Sequence, residues 1–107
     1  MGNTVSNKLN KALVLHLAKL IEEHRGDNII VLYVGEISSW TDFFIIATVR
    51  STKHSKGLFR EIKSYLKTHN VTIINNSRTI SNSGWVLLDC GNFIIHLMEY
   101  FLQFTEG

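Results

Sequence analysis

The sequence predicts a mixed α/β (α+β) fold in which a mixed sheet of about five strands carries flanking helices. Two stretches with the apolar spacing of an amphipathic helix are interleaved with short, β-branched runs, first a pair and then a trio. No linker, internal repeat or low-complexity segment divides the 107 residues. A chain of that length buries one core with no room for a second, so residues 1–107 are expected to form a single domain.

Leu9, Leu13, Leu17, Leu20 and Ile21 recur at intervals of three and four, which puts them on one side of a helix predicted from Ser6 to His24. Ser6 is its candidate cap, and Gly26, just past Arg25, is the candidate left-handed residue that ends it. The run IIVLYVG follows, short and β-branched, and reads as a buried strand. After the polar turn SSWTD, the run FFIIATVR at residues 43–50 reads as its antiparallel neighbour. Leu58, Phe59, Ile62, Tyr65 and Leu66 restore the helical period. They predict a second helix, Thr52–Thr68, capped by Ser51 or Thr52 and ended by His69 and Asn70. VTIIN is then a third strand and NSRTISNS a polar loop. GWVLLD and NFIIHLM are two strands that meet at Cys90 and Gly91, where glycine supplies a positive φ. The tail EYFLQF is expected to be helical. Strands as continuously apolar as VLYV and FFII need cover on both faces; the helices supply one cover, and the tail or a partner chain is expected to supply the other.

With 45% apolar and 19% charged residues the composition is that of an ordinary globular protein. The longest apolar runs fall far short of the roughly 20 residues that a membrane-spanning helix requires. No basic-then-apolar signal opens the chain. A cytoplasmic protein without membrane contact is therefore expected. The net charge of +2 gives only a mild bias toward anionic partners. The single cysteine, Cys90, can neither form an internal disulfide nor complete a zinc site alone.

Asp89, Cys90 and His96 bring an acid, a thiol and an imidazole into one predicted hairpin. Strand alternation sets Cys90 at the turn and His96 well along the next strand, which suits structural roles better than a nucleophile with its base. His16, His24, His54, His69 and His96 show no H-x-x-x-H pair on one helix, and no CxxC occurs, so no metal is expected. Neither phosphate-binding glycine loop is present, nor a D-x-D or D-x-E on a strand to hold magnesium, so no cofactor is expected either. Lys53, His54, Lys56, Arg60, Lys63 and Lys67 gather on the second helix; a solvated face is the favoured meaning, contact with ribosomal RNA or an acidic partner the other. Trp40 and Trp85 stand beside polar loop residues at strand ends, where a tryptophan either anchors an interface or caps the core.

SSWTDFFIIAT, a helix containing KHSKGLFREIKSYLK, and GWVLLDCGNFIIHLM together resemble the ribosomal silencing factor (RsfS) family, also called the Iojap family. Its two motifs are met by Ser38, Ser39, Thr41, Asp42, Ile46, Thr48, Trp85, Leu88, Asp89, Gly91 and His96, in the family's order, within a match from about Ala12 to Met98. The resemblance implies a nucleotidyltransferase-like core without its catalytic carboxylates, and a protein that is not an enzyme. It also implies binding to the large ribosomal subunit through ribosomal protein L-fourteen, which sterically blocks association with the small subunit and represses translation. A homodimer is expected on the same ground. Trp85, Leu87 and Tyr100 would form the apolar centre of the contact, with Asp42, Asp89 and Glu99 facing basic residues of the partner. Ser39, Thr41, Gly91 and His96 belong to the structural motif. Two readings from other classes stand beside this one: an RNA-binding module using the Lys-rich second helix, and a nucleotidyltransferase-like enzyme. The chain departs from the pattern at Val49, Arg50, Cys90 and Asn92, and EYFLQFTEG stands where the family continues into a loop and a further helix.

Overall fold

A computed structural model describes residues 3–80 and 85–99, with the side chains of 10–74 and 86–99. The elements are α1 (Asn3–Glu23), β1 (Asp27–Tyr33), β2 (Phe43–Val49), α2 (Thr52–Thr68), β3 (Ile74–Ile80), β4 (Trp85–Asp89) and β5 (Phe93–Glu99). Among the described residues the predicted order of helices and strands is the observed one. The strands form one mixed sheet in the order β1-β2-β5-β4-β3. The β1–β2 and β4–β5 pairs are the expected antiparallel hairpins, whereas β2 and β5 run parallel at the centre, in register from Phe43↔Phe93 to Val49↔Glu99.

Local chemistry accounts for the helix ends. Ser51, in extended backbone, accepts at Oγ from the His54 amide at 3.0 Å and caps α2 where the sequence placed the cap. At its far end Asn70 takes φ 58, its amide donates to the Lys67 carbonyl, and the Val71 amide donates to the Leu66 carbonyl. Helix α1 ends with the same motif, but Arg25 rather than Gly26 holds the left-handed position, at φ 71. Gly26 is needed for space instead, since a Cβ there would collide with Ile21 Cγ2. The helix also begins at Asn3, upstream of the expected cap at Ser6. His54 ties the two helices together: its Nδ1 accepts from the Arg50 amide at 3.0 Å while Nε2–H donates to the His24 carbonyl at 2.7 Å.

The third strand departs from expectation. VTIIN was the predicted strand and NSRTISNS the predicted loop, yet β3 is INNSRTI, Ile74–Ile80. Val71 is used in closing α2, and the polar residues that follow lie on the edge of the sheet, paired with β4 alone and with a register shift between Ile74 and Arg78. An edge strand is held by its backbone ladder on one side, so apolar alternation is not required of it, and polar residues there discourage edge-to-edge pairing. The expected helix in EYFLQF lies outside the described residues, apart from Glu99, which ends β5.

Both helices pack on one face of the sheet. Val14, Leu17 and Ile21 of α1 and Leu58, Ile62 and Leu66 of α2 meet Phe43, Ile45, Ala47 and Val49 of β2, Val86 and Leu88 of β4, and Phe93, Ile95 and Leu97 of β5 in one buried cluster. The register places the intervening residues of these strands on the face opposite.

Candidate functional site

Alternation along FFIIATV, LLD and FIIHLM leaves a second apolar surface on that opposite face: Phe44 and Ile46 of β2, Leu87 of β4, and Ile94, His96 and Met98 of β5. Phe44, Ile46, Leu87, His96 and Met98 are half-buried, and Ile94 is buried without joining the helix-side cluster. Ile30 and Leu32 of β1 continue the surface as the register partners of Ile46 and Phe44, and both are exposed. Neither described helix covers it.

The ring of His96 meets Phe44 edge-on, with centroids 5.2 Å apart, and Leu87 is its register partner across β4. Burial pushes its imidazole below the ordinary pKa, so it is neutral at pH 7. Trp40, 65% exposed, leans over Phe44 with centroids 6.4 Å apart. It is held by a turn in which Ser38 Oγ accepts from the amides of Trp40 and Thr41. Ser38 therefore makes the side-chain bonds of this turn. Ser39 is exposed, and Thr41 is buried with no hydrogen-bond partner at Oγ1 among the described residues.

Asp42 and Asp89 are brought to the same end of the sheet, where β2 and β5 begin and β4 finishes. The Asp42 amide donates to the Asn92 carbonyl at 3.0 Å. Asp89 Oδ1 accepts from the Gly91 amide at 2.9 Å, and Gly91 takes φ 84, so these two shape the β4–β5 connection as their types suggested. Glu99 is set apart. It follows the register of Val49 toward the helix side, and its carboxylate accepts from Thr52 Oγ1 at 2.6 Å at the start of α2. Trp85 opens β4 at the opposite end from Asp89, about 13 Å away along a strand of ordinary rise; its side chain lies outside the described residues, as does Tyr100 altogether.

The suspected catalytic trio does not assemble. Cys90 is buried within the helix-side cluster whereas His96 occupies the opposite face. Desolvation, and secondarily the charge of Asp89, push the thiol up to about 12, so it stays protonated at neutral pH. Among the described residues no group of three histidine, cysteine or carboxylate side chains is placed to hold a metal ion, and no helix is long and apolar enough to cross a membrane. Sequence reasoning assigns Phe44 and Met98 only to strands, and Ile46 only to a strand and the first motif. The signal that marks them was present, since FFIIATV is apolar at both parities and a strand of that kind needs something on each side.

Comparison with known proteins matches residues 7–100 to the family described as "Ribosomal silencing factor during starvation". A ribosomal silencing factor RsfS of Chromobacterium violaceum is 31% identical over 78 residues, 73% of this chain and 63% of the relative. The chloroplastic protein Iojap of Arabidopsis thaliana is 30% identical over 86 residues, 80% of this chain and 35% of the relative. The chain thus spans less than two thirds of these two relatives. A crystal structure of a Chromobacterium violaceum protein superposes with a TM-score of 0.73 at 29% identity, covering 82% of this chain and 73% of that one.

Proposed function

The chain belongs to the ribosomal silencing factor family, and on that premise we propose that it represses translation by binding the large ribosomal subunit and sterically keeping the small subunit from joining. The direct partner in this reading is ribosomal protein L-fourteen, and the cytoplasm is the compartment. One observation carries the proposal: the sheet face that neither described helix covers is apolar at its centre, with Phe44, Ile46, Leu87 and Met98 around His96. The exposed Trp40 and the carboxylates Asp42 and Asp89 lie at one end of it. A desolvated apolar centre with aromatic anchors and a charged rim is the anatomy of a specific protein interface, and ribosomal proteins are basic enough to meet those carboxylates. Trp85 and Tyr100 are further members of the contact in this reading, whereas Glu99, engaged by Thr52, does not take part.

The test is sedimentation of the purified protein with separated large and small subunits, then with both at a magnesium concentration that joins them. Selective pelleting with the large subunit and fewer joined ribosomes are expected. Trp40→Glu and Leu87→Glu, checked for fold by circular dichroism, should lose that pelleting. A folded wild-type protein that ignores large subunits, or variants that pellet as well as wild type, would overturn the proposal. Velocity sedimentation of the free protein tests the expected homodimer.

A further inference from the structure

We propose that the outer face of α2 is a second docking surface, one that receives the phosphate backbone of an RNA double helix. Lys53, Lys56, Arg60, Lys63 and Lys67 follow one another at intervals of three, four, three and four residues. On a helix of 3.6 residues per turn this puts all five within an arc of about 80°, in a stripe about 21 Å long. All five are exposed, and the buried Ser55, Leu58, Ile62 and Leu66 occupy the other side. None of the five has a carboxylate within 4 Å among the described residues; the one acid of the helix, Glu61, lies 3.9 Å from His24 Nε2 instead.

The stripe runs between two concavities. At the start of α2 a cavity of about 350 Å³ is lined by Arg25, Arg50, Ser51, Lys53 and His54. Arg50 there is partly offset by Asp27 at 3.6 Å, whereas Arg25 has no such partner among the described residues. Near the end of α2 a groove of about 660 Å³ is lined by Lys63 and Lys67 together with Phe59, Leu66, Val71 and Ile73. As it stands the arrangement opposes helix stability. Like charges three and four residues apart repel, and Lys53 sits at the positive end of the helix dipole, where the first turn contains no acidic residue. A row of phosphates would offset both terms by placing negative charge beside the cations and near the positive end of the helix.

An acidic protein is the other polyanion to consider, but protein interfaces are depleted of charge at their centre and built around apolar anchors. Here five cations succeed one another with no apolar side chain inside the stripe, and Phe59 stands at its edge with Lys63 Nζ 5.1 Å from its ring centre. High positive charge without an apolar centre is the character of nucleic-acid surfaces. The choice of RNA over DNA rests on the ribosomal reading above.

The experiment uses the full chain and a short fluorescent RNA duplex, with no ribosomal protein present, and reads anisotropy as salt is raised. If five phosphates are neutralised, the log–log slope is about −4.5 and affinity falls about 500-fold between roughly 50 and 200 mM salt. Arg60→Ala or Lys56→Ala should each lower the slope by about 1, irrespective of duplex sequence. The combined change Lys56→Glu, Arg60→Glu and Lys63→Glu should abolish binding, while Leu87→Glu on the opposite face should leave it unchanged. The Leu87 variant separates the two readings, because loss of subunit binding with RNA affinity retained belongs to the sheet face alone. No duplex binding at low salt, binding indifferent to the basic residues, or equally tight binding of poly-glutamate would overturn the inference, the last by assigning the stripe to an acidic protein.

Discussion

His96 shows how one side chain links the sheet to the behaviour of the fold. Its imidazole is half-buried against Phe44, and desolvation lowers its affinity for a proton in the folded state. The unfolded chain therefore takes up this proton first as pH falls. Stability contributed by the neutral ring is complete above the ordinary value of 6.5 and is lost as pH drops through the lower folded pKa. Urea unfolding followed from pH 7.5 to pH 5 should show declining stability, and His96→Leu should flatten that decline; an unchanged slope would contradict it. The same register that gives His96 this setting places Cys90 on the other side of the sheet, which is why an acid, a thiol and an imidazole close in sequence do not constitute a site.

At the scale of elements, α2 is specified almost entirely by its own residues. Its apolar period, the Ser51 cap and the Asn70 terminus are local signals, and the observed span Thr52–Thr68 is the predicted one. Ser51→Ala should lower global stability by about 1 kcal/mol, measured by urea denaturation, because the His54 amide loses its acceptor at the helix start. A change within error would mean that the Thr52–Glu99 contact holds this end without the cap. β3 is the opposite case. INNSRTI carries no strand period and forms a strand because β4 offers it a ladder, so nothing short-range could reveal it.

At the scale of the whole molecule the helices and the sheet present two different surfaces on opposite sides. The sheet side is apolar, with Asp42 and Asp89 at one end; the helix side carries the basic stripe of α2. The layer between them is a single core, and Cys90 reports on it. At 7% exposure and with its thiol pushed up to about 12, it should react slowly with a disulfide reagent at pH 8, at a rate that rises with urea in step with loss of helical signal. Fast labelling of the native protein would show that the β4–β5 turn opens independently of the core.

The apolar periods, the capping residues and the turn glycine determined by themselves the order and most boundaries of the described elements other than β3, because each acts within a few residues. The paired motifs around Thr41–Asp42 and Asp89–Gly91 were also enough to indicate the family. Tertiary structure alone decided that β2 and β5 run parallel at the sheet centre and that polar β3 forms an edge, whereas the placing of both helices on one face was already expected. Those choices rest on contacts between residues far apart in the chain. They determine which apolar parity of FFIIATV becomes core and which is left for a partner, and why Glu99 lies with α2 while Asp42 and Asp89 share an end of the sheet.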